Sequence, residues 1–542
     1  LAAPQLLPSL RYLPYSWRQY FPYAQFTSWS FDPKESLTWI VPGFWGWRDG
    51  AASWAWPAGA APAYHGSWPF CLTTEYFGLL PWTLACAALA AWAVPGALRE
   101  RLRRPEAFFL GLALFSFLSG LGKFFPLHHL YFHLPVYKGF RSWTRFLCLL
   151  TFSVSVLAAF GWDALVSEER WPRAWRGAFA FVFLALLCSF AAAYAAPMSV
   201  RASAADLTQK LGAGGPAAAL DLARSSALRA LALSGLLLVA LFSWERLRSL
   251  GAALLLGALV FHAFDAGEVA RRFLEFKAPA EVLAAPSWLG VLPDGSSGEP
   301  FRILDLPGLW PQNTGALHGY ETVQGYHGME MSAPQSLSQA LQARQLDWAD
   351  LMGARYVLSP QALSVAGFRP LTQGSPYIYE NPAALPRAFL LGRSQAVPND
   401  AAAWTALAQP SFDVLHSVTL DRDAGLDGLP PSGTVRWLER GRNHTTLQVD
   451  TLRRGLLVLS QNWYPAWCVR VDGQSEELLK ADGGALQAVL LGPGSHRVEL
   501  SYSPRLLEAG GLLALLGLIV LAAALLRRGP PVLLHLHKSP EP

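Results

Sequence analysis

The stretch KFFPLHHLYFHLPVYKGFRSWTRFLCLLTFSVSVLAAFGWDAL, Lys123–Leu165, decides the fold. Its first half is short, aromatic and purely basic. It carries Lys123, His128, His129, His133, Lys138, Arg141 and Arg145, with no Asp or Glu among them. Its second half, Phe146–Val166, is apolar and long enough to cross a bilayer. A cationic loop without counter-ions, leading straight into a membrane helix, suits an anionic headgroup at the membrane surface. Arg141 and Arg145 are four residues apart. On a helical approach they share one face and form a fork for phosphate oxygens. The alternative is that these side chains only snorkel to the interface.

Composition agrees with a membrane setting. The 542 residues are 52% hydrophobic and 15% charged, against about 25% charged in ordinary soluble chains. The net charge of +5 is mild, and no Lys/Arg run tracks a phosphate backbone, which excludes nucleic acid as a partner. The cysteines, Cys71, Cys86, Cys148, Cys188 and Cys468, form no C-x-x-C and no Cys/His cluster, so neither a zinc site nor a disulfide framework is indicated.

Seven apolar runs read as spans: 76–94, 107–122, 146–166, 177–196, 227–243, 250–266 and 509–526. The second and fifth are short. Dense basic connections at 95–106, 167–176 and 244–249, with Arg527 and Arg528 after the last run, fall on one side by parity. The positive-inside rule makes that side cytoplasmic. The basic loop 123–145 then faces outward, against the charge bias, as an anion-binding loop can.

The remaining chain divides as follows. Residues 1–13 read as the end of a truncated membrane helix, and 14–75 as an aromatic outer loop. In that loop Trp17, Trp29, Trp39, Trp45, Trp47, Trp54, Trp56 and Trp68 suit the bilayer interface. Its acids are Asp32, Glu35, Asp49 and Glu75. Residues 76–266 form a six-span membrane domain, with 200–226 as a mobile loop. Residues 267–433 form an outer α/β region, with FRILDL (301–306) and ARYVLS (354–359) as strands and 421–433 as a linker. From Thr434 to Pro504 the pattern alternates, in TVRWLER, TTLQVD, GLLVLSQ, WCVRVDG, ALQAVLL and HRVELSYS, the signature of a β-sandwich. Residues 509–526 are the final span and 527–542 a cytoplasmic tail. Its His535 and His537 lack further metal ligands.

The C-terminal segments LSQNWYPAWCVRVDGQ (459–474) and VLLGPGSHRVELSYSP (489–504), followed by one span, resemble the bacterial YfhO-like membrane proteins, placed among GT-C-type glycosyltransferases. The segments VYKGFRSWTRFLCLLTFSVSVLAAFGWDAL (136–165), EYFGLLPWTLA (75–85), GYETVQGYHGM (319–329) and DLMGARYVLSP (350–360) are similar to that family in the same order. Ala466 stands where the family pattern has glycine. The resemblance implies a mainly α-helical, GT-C-like polytopic fold of the bacterial plasma membrane, with its large insertion outside the cytoplasm. It also implies sugar transfer from a polyprenyl-phosphate donor to a cell-wall polymer or glycolipid. The family's catalytic acid lies on a first outer loop near the N-terminus, and no residue here is matched to it.

Such chemistry needs a phosphate site, a held hydroxyl, and a carboxylate as general base or metal anchor, so a divalent metal is the one cofactor admitted. Arg141, Arg145, Lys138 and Lys123 suit the phosphate, with His128 and His129 as donors or proton relays; both histidines also suit a plain interfacial role. Glu75 and Tyr76 open a span, where they contact an acceptor or cap the helix. Asp265, one turn after His262, sits at the outer end of a span. Trp463 and Trp467 either stack on a glycan or fill the sandwich. Two other classes compete. A non-catalytic protein presenting a cell-surface polymer fits the outer domain. A transporter would show charged mid-span residues and inverted repeats, and neither is evident.

Overall fold

The computed structural model describes residues 1–46, 76–93, 104–134, 137–167, 171–202, 215–271, 274, 276–295, 298–306, 309–429 and 433–527. About half of the chain is helical. It divides into two compact units, Phe21–Ala278 and Leu1–Tyr20 with Pro279–Pro542. Among the described residues, all the strands lie in the second.

Among the described residues, five helices are long and apolar enough to cross a membrane: Trp143–Val166, Pro172–Ala196, Pro216–Phe242, Ala252–Ala270 and Arg505–Leu526. Large apolar side chains such as Phe183, Leu187, Phe190, Leu512 and Leu516 stand exposed on them, a surface suited to lipid. The runs 76–94 and 107–122 form shorter helices, Leu79–Trp92 and Pro105–Gly120. Fourteen residues rise only about 21 Å, short of a hydrocarbon core of about 30 Å. The first is cut short because Tyr76–Gly78 is not helical and Gly78 takes a φ of +93°.

The fifth run behaves in the opposite way. Its helix begins at Gly215, twelve residues before the apolar run itself. Part of the stretch read as mobile loop is therefore helical. Ala, Leu and Arg are strong helix formers, and Ala219, Ala223, Ala227 and Ala230 make a fully buried stripe. That stripe packs against Ala192 and Ala196 of the preceding helix. Small residues govern the other crossings too. A Cβ on Gly161 would lie 1.8 Å from the Leu84 carbonyl oxygen, and one on Gly177 2.2 Å from that of Cys86. Both helices thus meet Leu79–Trp92 backbone to backbone, as small residues allow between membrane helices.

One buried charge ties three of these helices together. Asp265, with no exposed surface, accepts at Oδ1 from the Tyr76 hydroxyl (2.7 Å) and from Arg229 Nη2 (2.7 Å). Its Oδ2 accepts the Leu79 backbone N–H at 2.9 Å and caps that helix. Arg229 Nη2 also reaches the Asp265 carbonyl oxygen at 2.6 Å.

In the sheet-bearing unit, β1 (Arg302–Asp305), β2 (Glu321–Thr322), β3 (Ala354–Ser359), β4 (Arg369–Pro370) and β5 (Tyr377–Glu380) form a mixed sheet of order β2-β1-β3-β5-β4. The pairs β1–β2 and β1–β3 are parallel. Next come β6 (Ala388–Leu391), β7 (Ser394–Ala396), β8 (Val418–Leu420), β9 (Gly433–Arg440), β10 (His444–Thr451) and β11 (Gly455–Leu459). They are followed by β12 (Trp467–Val471), β13 (Gln474–Glu476), β14 (Leu479–Ala481), β15 (Leu486–Leu491) and β16 (Gly494–Tyr502). One antiparallel sheet has the order β13-β12-β16-β10-β9 and another β14-β15-β11-β6.

Leu447, Val449, Val469, Val498 and Leu500 of the first share one apolar cluster with Leu457, Leu459, Val489 and Leu491 of the second. The other face of the second sheet, with Leu456, Val458 and Leu486, packs on Leu337 and Leu407 of two helices. Strand β11 is therefore buried on both faces and reads as an unbroken apolar run. Strand β6 joins this sheet from before residue 434, so the reading of a separate α/β region ending at 433 divides what the sheet connects.

Residues 3–12 are helical and pack on Arg505–Arg527. After them Ser16 bridges to Met331, and the Ser332 hydroxyl donates to the Tyr15 carbonyl.

Asp482 is the buried carboxylate of this unit. Its Oδ1 accepts the Thr419 N–H (2.8 Å) and hydroxyl (3.0 Å), while Oδ2 is buried without a partner. Burial pushes its pKa up to about 7.

Two outcomes are expected. Asp265→Ala leaves three donors facing an empty site, and a broken buried pair costs about 3–5 kcal/mol. A clear fall in the melting temperature of the chain in detergent checks this; an unchanged value contradicts it. For Asp482, the folded state holds a proton that the unfolded chain releases near pH 4 (roughly the free carboxylate value). Stability of the β14–β15 region therefore falls as pH rises from about 4 to about 7 and is flat above. Hydrogen exchange of those strands should follow this profile in the wild type and lose it in Asp482→Asn.

Candidate functional site: a cation-rich loop on an aromatic scaffold

Residues 120–146 connect two apolar helices, and residues 21–31 hold them in place. The Phe31 N–H donates to the Gly120 carbonyl at 2.8 Å. Gly122 turns the chain at a φ of +55°, where a Cβ would lie 1.8 Å from Ser30 Oγ. That hydroxyl accepts the Lys123 N–H at 2.8 Å and donates to the Thr27 carbonyl at 2.6 Å. The chain then forms a short helix, Leu127–His133, and a 3-10 turn at Tyr137–Gly139.

Trp143 is the centre of the loop. It is buried, and its indole N–H donates to the Phe26 carbonyl at 2.9 Å. Around it stand Phe26 (5.0 Å between ring centroids), His128 (4.5 Å), Tyr131 (5.6 Å) and Phe146 (5.8 Å). Edge and offset contacts of this kind each add about 0.5–1.5 kcal/mol beyond burial. The loop is thus a packed aromatic body rather than a loose connection.

The cations sit on its outside. Lys123 lies 5.1 Å from the Phe124 ring, Lys138 5.4 Å from Phe132, and Arg141 6.0 Å from Trp29. Lys123, Lys138 and Arg145 are exposed and Arg141 is half-buried. Among the described residues, none of the four is paired with a carboxylate. Ring faces hold the first three by cation–π attraction, which leaves their N–H groups free to bind an anion.

The fork expected of Arg141 and Arg145 needs a correction. Ser142, between them, is left-handed, with φ 65° and ψ 56°, and the helix turns start only at Trp143. The two arginines therefore do not share a helical face, and each presents its charge from its own position. Serine reaches that conformation without a glycine's ease, so sequence alone does not signal the break.

The other candidates fall in separate places. His128 is fully buried among Phe26, Tyr131 and Trp143; the Phe125 and Ser119 carbonyls lie toward it, yet neither ring nitrogen makes a hydrogen bond of ordinary geometry. Burial pushes its pKa down to about 4, so it is neutral at pH 7. His129 is exposed and stacks on Tyr23 at 4.5 Å. Tyr76 is committed to Asp265. Glu75 lies outside the described residues, as do Asp49, Trp47, Trp54, Trp56, Trp68, Cys71, His535 and His537.

Trp463 and Trp467 belong to the sheet-bearing unit. Trp463 donates its indole N–H to the Leu478 carbonyl (2.9 Å) and lies 6.1 Å from Tyr15; Trp467 lies 5.4 Å from Tyr502. With Tyr12 and buried Tyr464 they form one aromatic cluster next to the start of Arg505–Arg527.

Sequence reasoning passed over two features. Arg229 lies inside the run read as 227–243, and a lone intramembrane arginine is the signal that a carboxylate partner is near. Glu35, fully buried beside the segment that anchors the loop, carries no such signal. Among the described residues no three His, Cys, Asp or Glu side chains gather as a metal site requires. The helices also line an open apolar cavity of about 310 Å³, bordered by Leu84, Trp162, Leu237, Trp244 and Phe261.

No known family model, curated protein or solved structure matches the chain.

Proposed function

We propose that the protein is a membrane glycosyltransferase of the YfhO-like, GT-C type, moving a sugar from a polyprenyl-phosphate donor to a cell-envelope acceptor outside the cytoplasm of a bacterium. The observation that carries this reading is the set of unpaired cations, Lys123, Lys138, Arg141 and Arg145, on a rigid aromatic body next to the first turn of Trp143–Val166. A lipid phosphate needs positive charge at the depth where an apolar tail gives way to water, and this loop supplies it at the end of an apolar helix. In the transfer step, negative charge grows on the phosphate that leaves the sugar. Preorganised cations lower that barrier because they need no rearrangement as the charge develops.

Within this reading each residue has a task. Arg141 and Lys138, held over Trp29 and Phe132, are the ordered phosphate ligands. Lys123 and Arg145 widen the positive field. His129 is placed to donate to a phosphate oxygen, while neutral His128 serves by packing against Trp143. The two sheets that share an apolar cluster are read as the β-sandwich of the outer region. The catalytic base is left unassigned. The competing reading, a polymer-presenting protein, asks for aromatic rings offered to a glycan. It is less favoured because Trp463 and Trp467 are taken up by Tyr15, Tyr502 and the Leu478 carbonyl.

The test is transfer of labelled hexose from polyprenyl phosphate by the chain in liposomes. Arg141→Glu and Arg145→Glu should each weaken donor affinity at least tenfold, roughly the 1.4 kcal/mol of one lost charge-assisted contact, with insertion unchanged. Unchanged affinity in both variants would sink the assignment.

A further inference from the structure

The sheet-bearing unit gathers three arginines around one carboxylate. Arg302 comes from β1, Arg387 from the residue before β6, and Arg440 from the end of β9. Glu321 of β2 accepts Arg387 Nη1 at Oε2 and Arg440 Nη2 at Oε1, and Arg302 Nε lies 3.8 Å from Oε2. Backbone groups take further donors. Arg302 reaches the Met352 carbonyl (2.9 Å), the Ser460 hydroxyl (2.9 Å) and the Ser460 carbonyl (2.7 Å). Arg387 Nη2 reaches the same Ser460 carbonyl at 2.9 Å.

The charges do not balance. Three guanidinium groups meet one carboxylate, and among the described residues no other carboxylate pairs with them. Two positive charges remain, in a place where water is scarce: the Arg387 side chain is 9% exposed and that of Arg302 16%. Arg387 Nε is buried with no acceptor. Burial, and then the repulsion of Arg302 and Arg440, pushes the Arg387 pKa down to about 8. A guanidinium does not give up its proton in proteins, so the two charges stay on the cluster and are available to an anion.

We propose that Arg302, Arg387 and Arg440 form a binding site for the dianionic phosphate of a phosphate monoester. A dianion cancels the two uncompensated charges, which a single carboxylate does not. Arg440, which commits only Nη2 to Glu321, keeps a planar edge that matches the oxygens of a phosphate, and Arg387 Nε is a donor without an acceptor. The site is open on one side, since the Arg440 and Glu321 side chains are 32% and 37% exposed. The flank of Arg387 is bordered by Gly353, where a Cβ would press on Cδ at 3.1 Å. Gly353 also lines a cavity of about 300 Å³ with Phe301, Arg355 and Tyr356. This site is independent of the sugar-transfer reading and of the loop at 123–145.

The competing account is a purely structural cluster with Glu321 as its whole counter-charge. Inorganic phosphate and glycerol 1-phosphate, added to the full chain in detergent at low salt, separate the two. At about a hundred times the dissociation constant, each should raise the melting temperature by roughly 5 °C over chloride of equal ionic strength. Hydrogen exchange should slow in β1 and β2. Arg440→Gln should lose at least tenfold in phosphate affinity. Glu321→Gln, which removes the one repelling carboxylate, should gain about tenfold, an outcome that a misfolded variant cannot mimic. Arg145→Glu should leave all of this unchanged. No response beyond chloride in either wild type or Glu321→Gln overturns the proposal. So does an undiminished response in Arg440→Gln, or binding of inorganic phosphate without the ester.

Discussion

A single hydrogen bond, from the Trp143 indole to the Phe26 carbonyl, holds together the part of this molecule on which the functional account depends. It ties the approach to a membrane-length helix to the segment that precedes the spans. It also centres the ring cluster that orders residues 120–146. Without such a body, like charges crowded into a short loop would repel one another and stay mobile. With it, Arg141, Lys138 and Lys123 rest against ring faces and need no carboxylate.

The chain handles buried charge in two contrasting ways. Asp265 and Arg229 neutralise each other, and Tyr76 and the Leu79 N–H complete the carboxylate's hydrogen bonds. That arrangement is balanced in charge, and it fixes the start of Leu79–Trp92 against the two helices that carry Asp265 and Arg229. The arginines around Glu321 outnumber their carboxylate, whereas Arg229, which also keeps a buried nitrogen without a partner, is matched by Asp265. Excess charge is costly in a buried place, and the proposed phosphate would supply the balance.

Much of the framework was legible in the sequence because apolar length and strand alternation are direct consequences of lipid and sheet burial. Five of the seven apolar runs are helices of spanning length, and the six segments read as strands from Thr434 onward are β9, β10, β11, β12, β15 and β16. Boundaries failed where burial and charge compete: Asp221 and Arg224 hid the helical continuity of Gly215–Phe242, whose alanine stripe is read only once the facing helix is known. The loop's cations were visible as a charge imbalance. Their geometry was not, because the left-handed Ser142 and the burial of His128 depend on contacts with residues about a hundred positions away. The Arg302, Glu321, Arg387 and Arg440 cluster had no local signature, being assembled by four distant strands and turns.

The central claim is that the loop recognises the phosphate of a lipid and not merely its tail. Equilibrium binding of polyprenyl phosphate and of the matching polyprenol to the chain in nanodiscs measures this directly. The account predicts binding of the phosphate at least a hundredfold tighter, about 2.7 kcal/mol, with the preference fading as salt is raised. Equal binding of the two lipids would contradict it.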